Sequence, residues 1–67
     1  MGDTKEAILT TALQLFAGNG YEAVSVSEIA GALGMTKGAL YKHYKNKRDI
    51  FDHILIRMEQ RDAEQAG

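Results

Sequence analysis

Cysteine and proline are both absent from the 67 residues of this chain. The lack of cysteine excludes a disulfide frame and a thiolate metal site, so a chain this short must hold itself together by packing helices, which suits a reducing cytoplasm. No apolar run approaches the roughly 20 residues that cross a bilayer. A basic and then apolar secretory leader is missing as well, since Asp3 and Glu6 stand where it would begin, and the expected location is cytoplasmic. There is no alternating strand pattern, internal repeat or low-complexity tract. Length adds its own limit: one small domain leaves much of its surface wet, and a deep ligand pocket is not expected within it.

What is present is an ordinary globular composition, 45% hydrophobic and 25% charged, with a formal net charge of −1. The apolar residues follow helical spacing. Ile8, Leu9, Ala12, Leu13 and Phe16 form one stripe, with Asp3 and Glu6 placed to cap its start and "GNG" at 18–20 to end it. In "VSVSEIAGALG", Ser25 and Glu28 form a capping box, Val24 and Ile29 flank it as a hydrophobic staple, and Gly34 closes the helix after about two turns. Thr36 then caps a second short helix, expected from Lys37 to about Tyr44, with Met35 and Leu40 as its staple. Asn46 caps a longer helix carrying Ile50, Phe51, Ile54, Leu55 and Met58 on one face, and its polar end, "QRDAEQAG", is expected to fray or to pack against something beyond this chain.

Two short helices joined by about three residues around a glycine, braced by a longer helix before them, have the layout of a helix-turn-helix. The fold class expected is all-α, a three-helix, homeodomain-like helix-turn-helix domain over residues 1–46 followed by the start of a fourth, longer helix over 47–67. Charge falls unevenly on this frame. Lys37, Lys42, Lys45, Lys47 and Arg48 lie within twelve positions, and no Asp or Glu occurs between Glu28 and Asp49. A sequence pI near 6.0 argues against a nucleic-acid binder taken globally. A phosphate, however, feels the field within about 10 Å at ordinary salt, so the local excess decides.

"GMTKGALYKHYKNKRDIF" resembles the recognition region of the tetracycline-repressor (TetR) family: a small-residue turn, a glycine two residues into the next helix, a Leu-Tyr pair, a His-aromatic pair and a lysine opening the fourth helix. "ALQLFAGNGYEAVSVSEIA" is similar to that family's first and second helices. Met35 stands where a smaller aliphatic residue is more usual, and Tyr44 where phenylalanine is. The resemblance implies a DNA-binding transcriptional regulator, in most members a repressor, bound as a homodimer to a palindromic double-stranded operator. It also implies that dimerisation and a small-molecule effector belong to a C-terminal domain that this chain does not contain, and that the protein is associated with the bacterial nucleoid.

Individual residues can be assigned within that reading. Lys37, first in the recognition helix, can reach base edges such as guanine O6 and N7. Gly38 lets the backbone approach DNA closely. Tyr41 lies four residues from Lys37 on the same face, where its ring would meet a thymine methyl, and the resemblance favours that contact over a structural role. Tyr44, four after Leu40, belongs with the core. His43 is expected at a phosphate, as the resemblance implies. Lys47, opening the fourth helix, is expected at a phosphate too, and the capping residues Ser25 and Thr36, with Ser27, are expected to add phosphate contacts to their local roles. Lys42, Lys45 and Arg48 supply general positive field. No second histidine at ligand spacing, no paired carboxylates and no nucleophile beside a base can be assembled, so neither an enzyme nor a cofactor or metal site is expected, and no membrane partner. The competing reading is a small helical protein-interaction module whose basic face is merely solvated.

Overall fold

The computed structural model describes the backbone of residues 3–66 and the side chains of residues 3–60. Four helices follow one another: α1 (Thr4–Asn19), α2 (Val26–Ala32), α3 (Lys37–Tyr41) and α4 (Lys47–Ala66). No strand occurs among the described residues, as the all-α expectation requires. α1 packs against both α2 and α4, and α3 packs on α2.

Each helix begins where a short polar side chain can accept a backbone N–H. Asp3 Oδ1 accepts from Lys5 N (3.2 Å), Thr36 Oγ1 from Ala39 N (3.0 Å) and Asn46 Oδ1 from Asp49 N (2.8 Å). At α2 the capping box is complete: Ser25 Oγ accepts from Glu28 N at 3.1 Å and Glu28 Oε1 from Ser25 N at 3.3 Å. Its far end closes as a Schellman turn. Gly34 sits at φ +69 while its N–H donates to the Gly31 carbonyl and that of Met35 donates to the Ala30 carbonyl.

The core gathers Ile8, Leu9, Ala12 and Phe16 of α1, Val24, Val26, Ile29 and Ala30 around α2, Leu40 and Tyr44 from the α3 region, and Ile50 and Ile54 of α4. An aromatic trio, Phe16, Tyr21 and Phe51, closes one end with ring centroids 5.1 to 6.0 Å apart. The spacing-based stripes overreach this core. Leu13, Leu55 and Met58 are 41%, 43% and 49% exposed: Leu13 lies at the edge of the α1 stripe, between buried Ala12 and Phe16, and Leu55 and Met58 lie beside or beyond Ile54, the last buried residue of α4 among those described. α3 is also shorter than its expected limit near Tyr44. Beyond Tyr41 the chain tightens, His43 N donating to the Leu40 carbonyl three residues back at 2.9 Å, a 3₁₀-type bond that still delivers Tyr44 to the core. The backbone of α4 is helical to Ala66; the expected packing of the "QRDAEQAG" side chains lies, from residue 61 onward, outside the described residues.

Candidate nucleic-acid interface

α3 is short, and its two sides differ sharply. Leu40 is fully buried, whereas Lys37, Gly38, Tyr41 and Lys42 are exposed, Tyr41 by 41%. The inward residues are fixed by packing, so the outward ones are presented on a held frame. Lys37 and Tyr41, four apart, stand on one side of that frame, with Gly38 next to Lys37 in the first turn. A Cβ added to Gly38 would meet nothing within 4 Å inside the chain. Internal packing therefore does not require the glycine.

The surrounding polar groups fall into those with internal partners and those without. Thr36 and Ser25 are exposed and hold their helix starts; Ser27 is exposed in the first turn of α2. His43 is half-buried in the turn after α3. Arg48 is paired with Asp52 at 3.0 Å, at the surface. Among the described residues the ion pairs are that one, His53 with Asp49, and Arg57 with Glu6, so Lys37, Lys42 and Lys45 have no carboxylate partner there. A surface lysine without an internal counterion keeps its full field for an outside anion.

Lys47, expected at a phosphate, has internal partners. Its Nζ donates to the Tyr21 carbonyl at 2.7 Å and to the Val24 carbonyl at 3.0 Å, and it lies 4.2 Å from the centroid of the Tyr21 ring. The start of α4 is also closed by its own carboxylate, since Asp49 Oδ2 accepts from Lys45 N at 2.9 Å. With the Asn46 cap this approaches the reciprocal arrangement of Ser25 and Glu28, except that the N–H returned to the carboxylate is that of Lys45, one residue before the cap, and not that of the cap itself. The sequence signal for it, Asn46 and Asp49 three apart, matches the Ser25–Glu28 spacing. Asp49 also meets His53, four residues on, whose Nδ1 lies 3.4 Å from Oδ1.

Among the described residues no group of three or more His, Cys, Asp or Glu could hold a metal ion, and no helix is long and apolar enough to cross a membrane. The arrangement is chemically simple: an exposed, uncompensated cationic and aromatic face set between two capped helix starts.

The family model described as bacterial regulatory proteins, tetR family, matches residues 8–54. The HTH-type transcriptional regulator AcrR of Shigella flexneri is 46% identical over 52 residues, covering 78% of this chain and 24% of the relative. The HTH-type transcriptional repressor BepR of Brucella suis is 44% identical over 55 residues, covering 82% and 26%. For the HTH-type transcriptional regulator QacR of Staphylococcus aureus the figures are 41% over 61 residues, 91% and 32%. Among solved structures, the fatty acid degradation regulator FadR from Bacillus halodurans superposes with a TM-score of 0.87 at 29% identity, over 97% of this chain and 34% of that one. The chain thus spans about a quarter to a third of the length of these relatives.

Proposed function

We propose, because this chain belongs to the tetR family of bacterial regulatory proteins, that it is the DNA-docking module of a transcriptional regulator, most simply a repressor. α3 enters the major groove. Lys37, Gly38 and Tyr41 face the base edges, and Ser25, Ser27, Thr36 and His43 hold phosphates on either side. Lys42 and Lys45 add positive field, and Arg48 adds less because Asp52 is paired with it. The single observation that carries the reading is the outward side of α3, where Lys37 and an exposed Tyr41 stand with no carboxylate paired to the lysine among the described residues.

Residues 47–67 then lead toward a further domain of the whole protein, which dimerises and takes a small-molecule effector. A dimer would present two α3 helices to the halves of a palindromic operator, about 34 to 36 Å or a related step apart, and an effector that changes that spacing would release the DNA. The protein would work in the cytoplasm, on the nucleoid, with no catalytic role.

The test is an amide NMR titration of the chain with a generic duplex at about 50 mM and about 200 mM salt, where binding through several phosphates weakens strongly. Shifts concentrated at residues 25–28 and 36–45, fading with salt, are expected, and Tyr41→Ala should weaken binding without loss of helix content. A dispersed spectrum in which no residue moves would instead favour a protein-interaction module with a solvated basic face.

A further inference from the structure

Lys47 is the lysine of the basic block that the structure turns to an internal use. An ammonium carries three N–H donors. Two of them are spent on the carbonyls of Tyr21 and Val24, which lie 26 and 23 residues away in the sequence, and the same group rests on the Tyr21 ring. Both contacts are of the kind that strengthens with a charged donor and partial desolvation, and Lys47 is half-buried.

What those two carbonyls belong to matters. They lie in the turn between α1 and α2, where Val24 N also donates to the Tyr21 carbonyl, and Val24 directly precedes Ser25, the N-cap of α2. Val24 itself is only 1% exposed. Lys47, the first residue of α4, therefore ties that helix to the residues that set where α2 begins. α2 in turn carries α3 against it. One ammonium joins the starts of two helices that meet in no shared turn of sequence.

We infer that Lys47 is a positioning residue: its ammonium fixes the α1–α2 turn, and through it the α2 N-terminus, relative to α4, so that the Ser25 and Ser27 phosphate anchors keep their spacing from the α3 face, and it does not itself bind phosphate. This rests on the DNA-docking reading above. The two roles for a lysine differ in a measurable way. A lysine that neutralises one phosphate releases one counterion's worth of salt dependence, a slope of about 0.9 in log affinity against log salt. A lysine that holds backbone carbonyls costs affinity on removal and leaves that slope nearly intact.

The experiment compares the chain with Lys47→Met, which keeps an unbranched stem of similar reach and removes every donor, against a generic duplex over a range of salt. Exposed Lys37→Met serves as the phosphate- or base-contacting reference. The expected result is about five- to tenfold weaker binding for Lys47→Met, a salt slope within about 0.3 of the unsubstituted chain, and altered amide shifts and faster hydrogen exchange at residues 21–28 in the absence of DNA. A slope lower by about 0.9 with residues 21–28 unmoved overturns the positioning role. Should Lys47→Met not fold, the Lys47 ε-methylene resonance of the unsubstituted chain decides the matter: it stays in place when duplex is added if the ammonium remains on the carbonyls, and a salt-dependent shift overturns the proposal. Failure of the unsubstituted chain to bind duplex at any salt would overturn the DNA reading and this role together, whereas ordinary binding with a lowered slope overturns this role alone.

Discussion

At the scale of single residues, Gly38 separates folding from function most cleanly. In the first turn of a helix, glycine is less favourable than alanine by roughly 0.5 to 1 kcal/mol, and an added Cβ at Gly38 meets nothing in the chain. Gly38→Ala should therefore raise the melting temperature while weakening duplex binding, read by thermal unfolding and fluorescence anisotropy; a variant that is more stable and binds equally well would remove Gly38 from the interface. Tyr44 offers a pH readout. Burial first, then the carboxylates of Asp3, Asp49 and Glu6, push its phenol above its ordinary value of 10.0, while Arg57 pulls it down. The folded chain holds this proton more tightly than the unfolded chain does, so the stabilisation is whole below the unfolded value and is lost as pH rises through the folded one. Its hydroxyl reaches the Lys5 carbonyl at a long 3.4 Å, so Tyr44→Phe should cost less than about 1 kcal/mol near neutrality. Between about pH 8 and about pH 11 the substituted chain should lose less stability than the original, measured by thermal unfolding at both. An equal loss in both chains would place the alkaline instability elsewhere.

At the scale of elements, the capping side chains carry a large share of the specification. α2 and α3 are seven and five residues long, far below the roughly 12 to 15 at which helices persist alone, so their ends and their packing must hold them. Ser25→Ala removes one half of a reciprocal capping box and should destabilise the domain by about 1 kcal/mol. Because Ser25 is also a proposed phosphate anchor, duplex affinity should fall by more than the loss of folded population explains. Ser25→Asp distinguishes the two effects: it restores the cap and the melting temperature, yet places a negative charge where a phosphate would sit. Recovery of both stability and affinity in Ser25→Asp would show that Ser25 caps the helix and does nothing else.

For the whole molecule, the decisive quantities are charge distribution and valency. A chain of net charge −1 binds DNA only through the asymmetric placement of its cations, and a single copy should bind with Kd of about 10⁻⁴ to 10⁻⁶ M, falling steeply with salt. Joining two copies through the C-terminal end of α4 by a dimerising coiled coil converts the second docking event into an intramolecular one. Where the geometry allows both α3 helices to engage, affinity for a palindromic duplex selected on the fused dimer should rise by about 10²-fold or more over the single chain. Anisotropy titrations of both forms on the same duplex check this, and equal affinities would mean that the two α3 helices cannot engage together. The apolar side chains of α4 left exposed, Leu55, Ile56 and Met58, lie along the same helix that continues to Ala66.

By itself the sequence determined the four helix starts, at Asp3, Ser25, Thr36 and Asn46, and the division of the α3 region into a buried side with Leu40 and Tyr44 and an outer side with Lys37 and Tyr41. Those features are local: a cap and the residue it serves lie two or three positions apart, and a helical face repeats every three or four. Only the tertiary structure decided that α3 ends at Tyr41, that Leu13, Leu55 and Met58 lie outside the core, and that the Lys47 ammonium turns to two carbonyls. Periodicity reports which side of a helix is apolar but not how far a neighbour covers it, and a lysine's partners more than 20 residues away are chosen by the packing of α1 against α4, which no local pattern encodes.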